Sequence, residues 1–343
     1  MKNWYEQKDT DKSIIISSRV RFARNLAKYP FPARISKEDA ICAINEIKSS
    51  VLYEDSYLSS VLNFVDLQEK SREELMQLCE CHVISLAMAS KNSKRGLMYN
   101  NDNSIAIMLN EEDHLRIQSI YPGNDLEKAY IDASKIDDIM SESLEYAFDS
   151  EFGYLTSCPT NTGTGMRASF MLHLPVLENT GSLAAHLGLI TKAGFAIRGT
   201  YGEGSQPLGS IYQISNQLTL GKTEEQTLAG LTHLVGQIVD KELQLRDRLI
   251  GEFALAAKDR VHRAYGILTN CITIKLEEAM KLLSELRAGY FMGLIDSKLK
   301  SDLSIYSLMT NIQPYNIQKI SKKTDDEELI NFYRAEYLRN KLI

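Results

Sequence analysis

The stretch Cys158–His173, CPTNTGTGMRASFMLH, joins a glycine-rich turn directly to an alternating segment that predicts a β-strand. Successive side chains of a strand point to opposite faces. One face would therefore carry Arg167, Ser169, Met171 and His173, and the other would carry Ala168, Phe170, Leu172 and Leu174. A charged residue that enters a half-buried strand needs a partner, because burying an unpaired charge is costly. We therefore expect Arg167 to bind an anion held near the turn.

Two known phosphate-binding motifs resemble parts of this region, but their context is wrong. Gly163–Ala168 matches the letters of the G-x-G-x-x-A dinucleotide fingerprint, which needs a strand before it and a helix after it. Here the helix-like segment comes first and the strand follows. Gly221-Lys222-Thr223 resembles the end of a P-loop, but Asn216 occupies the position of its first glycine. A nucleotide bound to this protein would use neither motif.

Composition limits the class of protein. A chain of 343 residues with 44% hydrophobic residues can form two domains with a large core. The net charge of −6 argues against a general nucleic-acid binder. The chain contains no apolar run of about 18 residues, so we expect no membrane span, and its N-terminus has no secretion signal. Five cysteines at irregular spacing indicate neither a disulfide framework nor a zinc site. We expect a cytoplasmic protein with reduced thiols.

Two further strands bring charged residues to their ends. Residues 14–21, IIISSRVR, predict a strand that places Arg19 and Arg21 on one face. Neighbouring arginines repel each other unless an anion lies between them, although a solvated edge strand would also tolerate them. Residues 104–109 predict a buried strand, and NEEDHLR follows at 110–116. This segment suits chemistry at a strand end, or an acidic helix start.

The rest of the chain alternates helices and loops. Helix-like patterns cover 37–49, 71–91, 125–149 and 184–192, and the chain after 222 is almost wholly helical, with capping boxes at Thr223 and Thr324. His82, within the second helix, would by itself be read as a core or surface histidine. A short strand at 195–198 opens onto the glycine-rich segment 199–209, a candidate lid with Glu203 in its middle.

Five arginines occupy comparable positions. Each lies at a predicted strand end or beside a glycine-rich turn: Arg19, Arg21, Arg116, Arg167 and Arg198. The planar guanidinium suits the oxygens of phosphate, and each charge-assisted hydrogen bond contributes about 1.5–3 kcal/mol. If the five converge, they would clamp a polyphosphate without a P-loop.

Four motifs stand in the order and approximate spacing of the ATP:guanido phosphotransferases, or phosphagen kinases. They are SSRVRFARN (17–25), NEEDHLR (110–116), CPTNTGTGMRAS (158–169) and RGTYGEGS (198–205). The resemblance implies an α+β protein. Its catalytic domain, residues 1–221, would be an antiparallel β-sheet flanked by helices. A helical C-terminal domain, residues 222–343, would dock protein substrates and support a dimer.

Motif position also implies roles for individual residues. Glu112 and Glu203 would grip the guanidinium of the acceptor, and Cys158 would lie beside it, although a small packing residue explains Cys158 equally well. The five arginines would hold the phosphates of ATP, with Mg²⁺ bridging them and no protein residue expected as a metal ligand. The full nucleotide site would comprise Ser17, Ser18, Arg19, Val20, Arg21, His82, Arg116, Arg167, Ala168, Ser169, Phe170, Met171, Arg198, Gly199, Thr200, Tyr201, Gly202 and Glu203.

The arrangement of the chain distinguishes two acceptors. Small-molecule guanidino kinases have a helical domain before the SSRVR strand, which here begins at residue 17, and they lack the helical region after 222. The chain is more similar to the bacterial protein-arginine kinases (McsB type), also along Tyr212–Lys222. The family's Arg-Asp-x-x-Arg-Ala motif, a regulatory phosphoarginine pocket, is only half present, because Ile330 and Asn331 replace the leading pair.

The resemblance also implies partners. These are protein substrates with exposed arginines, an activating zinc-finger-type protein, a heat-shock repressor that phosphorylation would inactivate, and a Clp-type unfoldase that would degrade marked proteins. We expect no direct contact with nucleic acid or membrane, and a homodimer. Two alternatives stay open at this point: a small-molecule arginine kinase without its lid domain, and an inactive adaptor that binds phosphoarginine or a partner protein.

Overall fold

A computed structural model describes residues 2–7, 14–53, 56–90, 93–199, 207–295, 303–321 and 325–343, without the side chains of 184–187 and 189. The strands are β1 Ile15–Arg24, β2 Asn63–Asp66, β3 Gly96–Tyr99, β4 Ile105–Leu109, β5 Leu115–Pro122, β6 Phe148–Asp149, β7 Gly153–Tyr154, β8 Met166–His173, β9 Phe195–Arg198 and β10 Ile211–Asn216. The helices are α1 Lys37–Val51, α2 Tyr57–Val61, α3 Arg72–Glu80, α4 Leu86–Ser90, α5 Leu126–Ser141, α6 Pro175–Asn179, α7 Ser182–Lys192, α8 Glu224–Asn270, α9 Leu276–Phe291, α10 Ile305–Asn311, α11 Pro314–Ile320 and α12 Glu327–Leu342.

Eight of the strands form one antiparallel sheet in the order β2-β3-β4-β5-β1-β8-β10-β9. Strand β1 lies near its centre, between β5 and β8, and places Arg21 opposite both Gln118 and Arg167. The sheet flanked by helices, followed by a helical C-terminal region, confirms the predicted fold class. No helix within the described ranges is long and apolar enough to cross a bilayer.

The two faces of the sheet pack against different helices. Val20, Phe22 and Phe170 point to the face covered by α1, α5 and the first half of α8, where they form the first hydrophobic core. On the other face, Ile120 and Met171 pack against the C-terminal helices in a second core. The arginines of β1 and β8 share this second face, because side chains alternate along each strand.

Two predicted helices are shorter than their periodicity indicated. The segment 71–91 breaks between α3 and α4, where His82 has a φ of +60° that an α-helix does not allow. The segment 125–149 ends as a helix at Ser141, and the hairpin β6–β7 follows. The Asp149 carboxylate accepts hydrogen bonds from two backbone N–H groups of the turn, which stabilises the hairpin instead of another helical turn.

Helix α8 links the sheet to the C-terminal helices. The predicted capping box is present, since the Thr223 side chain accepts the N–H of Gln226. The helix kinks at Phe253, whose φ of −134° is non-helical. At the last helix the Asp326 side chain accepts the first N–H groups of α12, and the predicted cap, Thr324, lies outside the described residues. The predicted domain boundary at 221 lies just before α8 and stays a prediction.

A buried polar cluster joins β8 to α8 and α9. Arg287 donates to Nδ1 of His173 at 3.0 Å, and Nε2 of His173 lies 2.8 Å from the Ser284 hydroxyl. Because a guanidinium can only donate, Nδ1 must accept and Nε2 must carry the proton. Burial and the two nearby arginines, Arg287 and Arg246, hold the pKa of His173 well below its usual range. His173 is therefore a neutral structural link.

Candidate functional site

The predicted arginines of β1, β5, β8 and β9 lie on one face of the sheet. Arg21 and Arg167 face each other directly across the β1–β8 pair, and Arg116 stands beside them on β5 opposite Ala23. Arg198 of β9 pairs with Gln213 of β10. The strand order therefore brings together arginines that are separated by up to about half of the sequence.

These side chains border a cavity of about 720 Å³. Its lining residues are Arg21, Phe22, Ala23, Ser85, Leu86, Ala87, Glu111, Glu112, Arg116, Cys158, Thr160, Asn161, Gly165, Arg167, Arg198 and Gln217. Four of the five predicted arginines and two of the three predicted catalytic residues, Glu112 and Cys158, thus meet in one space. Arg19 lines an adjoining pocket of about 70 Å³ together with His82. The remaining catalytic prediction, Glu203, lies outside the described residues, as do Thr200, Tyr201 and Gly202.

The arginine face is electrostatically costly without a ligand. Burial, followed by repulsion from Arg167 and Arg116, lowers the pKa of Arg19 to about 10. Burial and the neighbouring arginines also lower the pKa of Arg21 well below its usual range. Like charges that face each other across a strand pair destabilise the fold. A polyanion placed between them would reverse the sign of these interactions.

Arg116 is held by two carboxylates at one end of the cavity. Its guanidinium lies 2.6 Å from Glu111 and 3.0 Å from Glu112. Glu111 is buried and also accepts a hydrogen bond from Ser85, whereas the side chain of Glu112 is 43% exposed and borders the cavity. Burial raises the pKa of the Glu112 carboxyl, and Arg116 opposes this effect. Glu112 is thus the carboxylate available to a ligand.

The turn that carries Cys158 is tied to the Glu112 segment. Asp113 accepts hydrogen bonds from the Asn25 side chain and from the Ser157 N–H, both at 2.7 Å. The Ser157 hydroxyl donates to the Glu112 carbonyl at 2.7 Å. These bonds place Cys158 beside Glu112, with its Sγ 3.1 Å from the Thr160 hydroxyl. Asp113 therefore orients two segments of the site rather than lining it.

Arg24 stabilises the glycine-rich turn from behind. Its guanidinium lies 3.6 Å from the centre of the Tyr154 ring, pairs with Asp137 at 2.6 Å and donates to the Thr164 carbonyl at 2.9 Å. Gly165 has a φ of +65°, and a Cβ at this position would clash with Arg24 and with the Ala23 carbonyl. Only glycine allows the turn to approach β1 this closely.

Several predicted nucleotide-site residues do not reach the cavity with their side chains. Ser18, Val20, Ala168 and Phe170 alternate onto the opposite face and are buried there. The Ser18 hydroxyl donates to the Gly123 carbonyl at 2.6 Å, a structural bond. Ser17, Ser169 and Met171 lie on the arginine side but are buried, and Met171 contacts the Tyr306 hydroxyl. Gly199 is buried at the end of β9.

Sequence reasoning missed several residues that line the cavity. The motif position predicts a role for Glu112 and none for its neighbour Glu111, although both belong to the NEEDH segment. Gln217 follows β10 and was not singled out, and Ser85 carried no signal in the sequence. The alternation of β10, which runs through Ser215, could have identified Gln217, because residues two apart in a strand share a face.

His82 lies at the wall between the pocket that Arg19 lines and the C-terminal helices. Its Nε2 is 3.0 Å from the Tyr306 hydroxyl of α10, and its carbonyl accepts a hydrogen bond from Gln118 at 2.8 Å. Burial, assisted by the charge of Arg19, lowers the pKa of His82 to about 3. His82 is therefore neutral near pH 7.

This shift predicts a loss of stability in acid. Between about pH 6.5 and pH 3 the unfolded chain binds a proton at residue 82 that the folded chain excludes, so the free energy of unfolding falls as the pH falls. His82→Asn, which tolerates the positive φ, should flatten the dependence by about 1.4 kcal/mol per pH unit between pH 6 and pH 4. Urea unfolding across this range would measure it. Exposed His233→Asn is the control, and equal slopes for the wild type and His82→Asn would contradict the prediction.

Comparison with known proteins agrees with this geometry. The model of the ATP:guanido phosphotransferase C-terminal catalytic domain matches residues 43–245, and that of the protein-arginine kinase McsB C-terminal domain matches residues 254–343. A protein-arginine kinase of Halothermothrix orenii is 39% identical over 100% of this chain and 97% of its own. One of Clostridium kluyveri is 40% identical over 100% of this chain and 99% of its own. The chain belongs to the protein-arginine kinase family.

A solved structure supports the fold separately. The crystal structure of a lombricine kinase superposes with a TM-score of 0.60 at 24% identity, over 70% of this chain and 69% of that one. This chain therefore shares its fold with the lombricine kinase. The family membership also confirms that the protein is an ATP:guanido phosphotransferase, as the four motifs predicted.

Residues 330–335, which keep half of the Arg-Asp-x-x-Arg-Ala motif, have a structural role in this chain. Arg334 is buried and donates to the carbonyls of Ile312 and Ile274 at 2.9 and 3.1 Å, and to the side chain of Asn331 at 2.5 Å. Ile330 is buried and offers no hydrogen bond to a phosphoryl group. The guanidinium is thus already engaged in linking α12 to the neighbouring segments.

We therefore expect free phosphoarginine at micromolar concentration to change the kinase activity less than twofold. Arg334→Met should instead lower the free energy of unfolding by about 2–4 kcal/mol, because two buried carbonyls lose their donor. Activity titrations and urea unfolding would measure the two effects, with exposed Arg248→Met as the control. Activation of several-fold by phosphoarginine would contradict this interpretation.

Proposed function

We propose that this protein transfers the γ-phosphoryl group of ATP to the guanidinium of arginine residues in proteins. The observation that carries the proposal is the single cavity that combines both halves of the reaction. Arg21, Arg167 and Arg198 suit the phosphates of ATP, and Glu112 offers a carboxylate to a guanidinium at the Cys158 end. The full-length similarity to protein-arginine kinases supports a protein as the acceptor.

The chemistry explains why a carboxylate is needed. A free guanidinium has a pKa of about 12.5–13.8, so removing its proton in advance at pH 7 would cost about 7.5–9 kcal/mol. Glu112 can instead orient the planar group by hydrogen bonds and accept the proton as the nitrogen attacks phosphorus. Glu203 would complete this grip from the 199–209 segment. The arginines stabilise the charge of the transferring phosphoryl group.

Mg²⁺ would be held largely by the nucleotide. This ion is usually bound through one or two carboxylates, water and the phosphates of the substrate. Glu112 is assigned to the guanidinium, and Glu111, which also borders the cavity, leaves one carboxylate for the ion or its water, so the donor set fits. Within the described residues, no group of three or more histidine, cysteine or acidic side chains could hold a metal by itself. When bound, Mg²⁺ would neutralise charge on the β- and γ-phosphates.

The wider biological setting is proposed from the resemblance. It comprises a cytoplasmic homodimer, an activating zinc-finger-type protein, a heat-shock repressor as substrate and a Clp-type unfoldase that degrades marked proteins. None of these partners is expected to require contact of this chain with nucleic acid or membrane.

The decisive experiment is ATP-dependent labelling of an unstructured, arginine-containing protein such as casein. An acid-labile, base-stable label that is lost in Glu112→Ala and Glu203→Ala would support phosphorylation of arginine nitrogen at this site. Free L-arginine at millimolar concentration should compete poorly with the protein. Rapid labelling of free arginine without label on protein would favour a small-molecule kinase. No label on either, with ATP bound, would favour the adaptor.

A further inference from the structure

The rim of the cavity at its Cys158 end carries exposed apolar side chains. Phe148, Phe152, Leu218 and Leu220 have exposed fractions of 60%, 47%, 58% and 51%. We call these four residues the rim strip. Large apolar side chains grouped at the surface usually mark an interaction site, whereas single ones need no explanation. The four residues form one surface only if the segments that carry them lie next to each other.

Contacts between neighbouring segments connect the β6–β7 hairpin to Leu220 through Gly163. Phe148 pairs with Tyr154 across β6 and β7, with ring centres 5.3 Å apart. The Tyr154 N–H donates to the Gly163 carbonyl at 2.9 Å, and the Gly163 N–H donates back at 3.2 Å. Gly163 in turn lies against Leu220, since a Cβ on this glycine would be 2.9 Å from the Leu220 Cα. The strip is therefore one surface built on three adjacent segments.

This surface begins where the cavity ends. Thr219, between the two leucines, donates its hydroxyl to the carbonyls of Thr162 and Thr160 at 2.7 and 3.2 Å. Thr160 lines the cavity together with Cys158, and Gln217, the residue before Leu218, lines it as well. The strip is thus continuous with the end of the cavity that also holds Glu112.

The hairpin half of the strip, with Phe148 and Phe152, is acidic. The segment 141–157, which contains both phenylalanines, has four acidic residues and no lysine or arginine. Asp149 and Glu151 stand between Phe148 and Phe152. Arginine side chains stack on aromatic rings and pair with carboxylates. An arginine-containing polypeptide with apolar residues complements this surface, whereas an acidic partner would be repelled.

We infer that the rim strip docks the polypeptide segment on either side of the acceptor arginine. The inference rests on the proposed function, because only a protein acceptor has neighbouring residues that must lie outside the cavity. An apolar residue beside the acceptor arginine packs on Leu218 and Leu220, and further basic residues lie over the β6–β7 hairpin. The strip thereby selects arginines with apolar neighbours.

Two unstructured peptides with one arginine each test this inference, one with leucines and one with serines beside the arginine. The wild-type kcat/KM should be about tenfold higher for the leucine peptide, the value of one partly buried apolar side chain. In Leu218→Ser/Leu220→Ser this ratio should fall to about one through KM, while kcat and the KM for ATP stay constant. Phe148→Ser/Phe152→Ser is a second, independent variant. Tyr57→Ser, 75% exposed on α2, is the control.

Each outcome has a distinct meaning. An unchanged peptide ratio in both double variants, or a wild type that does not discriminate between the peptides, would overturn the docking site but leave the proposed function intact. A second copy of the chain could cover the strip instead of a substrate, and light scattering tests this alternative. A smaller assembly in either double variant would assign the strip to contact between copies of the chain and overturn the inference. A wild type that phosphorylates neither peptide nor casein would refute the proposed function itself.

Discussion

Glu112→Gln should lower the rate of phosphoryl transfer to protein by about 10²–10⁴-fold while ATP still binds. The substitution keeps the size of the side chain and removes the charge that orients a guanidinium and accepts its proton. Arg116 retains its 2.6 Å ion pair with Glu111, so the phosphate side of the cavity should be preserved. Single-turnover kinetics with labelled ATP and a fluorescent-nucleotide titration would separate the two effects.

The control for this experiment is Glu127→Gln, an exposed first-turn glutamate of α5. It should behave like the wild type in both measurements. A Glu112→Gln variant that keeps more than about a tenth of the wild-type rate would show that the carboxylate is not required for the chemical step. Glu111 would then be the next candidate, because it borders the same cavity.

Arg21→Met should stabilise the ligand-free protein and weaken ATP binding at the same time. Arg21 faces Arg167 directly, and burial together with three neighbouring arginines disfavours its charge in the folded state. Removing that charge should raise Tm by about 1–2 °C, equivalent to about 1 kcal/mol for a chain of 343 residues. Loss of a charge-assisted phosphate contact should raise the Kd for ATP by about 10–100-fold. Thermal unfolding with and without ATP would record both changes.

The combination of a higher Tm without ATP and weaker ATP binding makes this prediction specific. A residue that only supports the fold would lower Tm in the absence of nucleotide, and a surface residue would change neither quantity. Arg248→Met, on an exposed helix position where Arg248 pairs with Glu252, provides the surface control. A lower Tm of Arg21→Met in the absence of ATP would contradict the prediction, because it would show that the charge of Arg21 stabilises the ligand-free fold.

The alternation of β1 and β8 could be read directly from the sequence. Side-chain direction in a strand has a period of two, so the sequence placed Arg19 and Arg21 on one face of β1, and Arg167 with Ser169 and Met171 on one face of β8. Only the β1–β8 pairing shows that these are the same face of the sheet. The glycines of the turn could be read as well, because positive φ favours this residue. The order of the four motifs identified the family and hence the antiparallel sheet. These features depend on local geometry or on a pattern along the chain.

Other features depended on long-range contacts. The break at His82 interrupts a segment whose periodicity indicated helix, and the His82 carbonyl there accepts a hydrogen bond from Gln118, 36 residues away. The β6–β7 hairpin interrupts another such segment, but its turn is stabilised locally by Asp149. Arg334 was recognised as half of a motif, but its partners are carbonyls that lie 22 and 60 residues away. Local propensity contains no information about such contacts.

The sequence by itself thus determined which residues could face an anion, and it determined the family. Only the tertiary structure decided that Arg116 and Arg198 join the arginines of β1 and β8, that Glu111 holds Arg116, and that exposed leucines border the Cys158 turn. The physical reason is the strand order β5-β1-β8-β10-β9, which places distant segments side by side. Side-chain alternation is a property of each strand alone, whereas a shared cavity is a property of their arrangement.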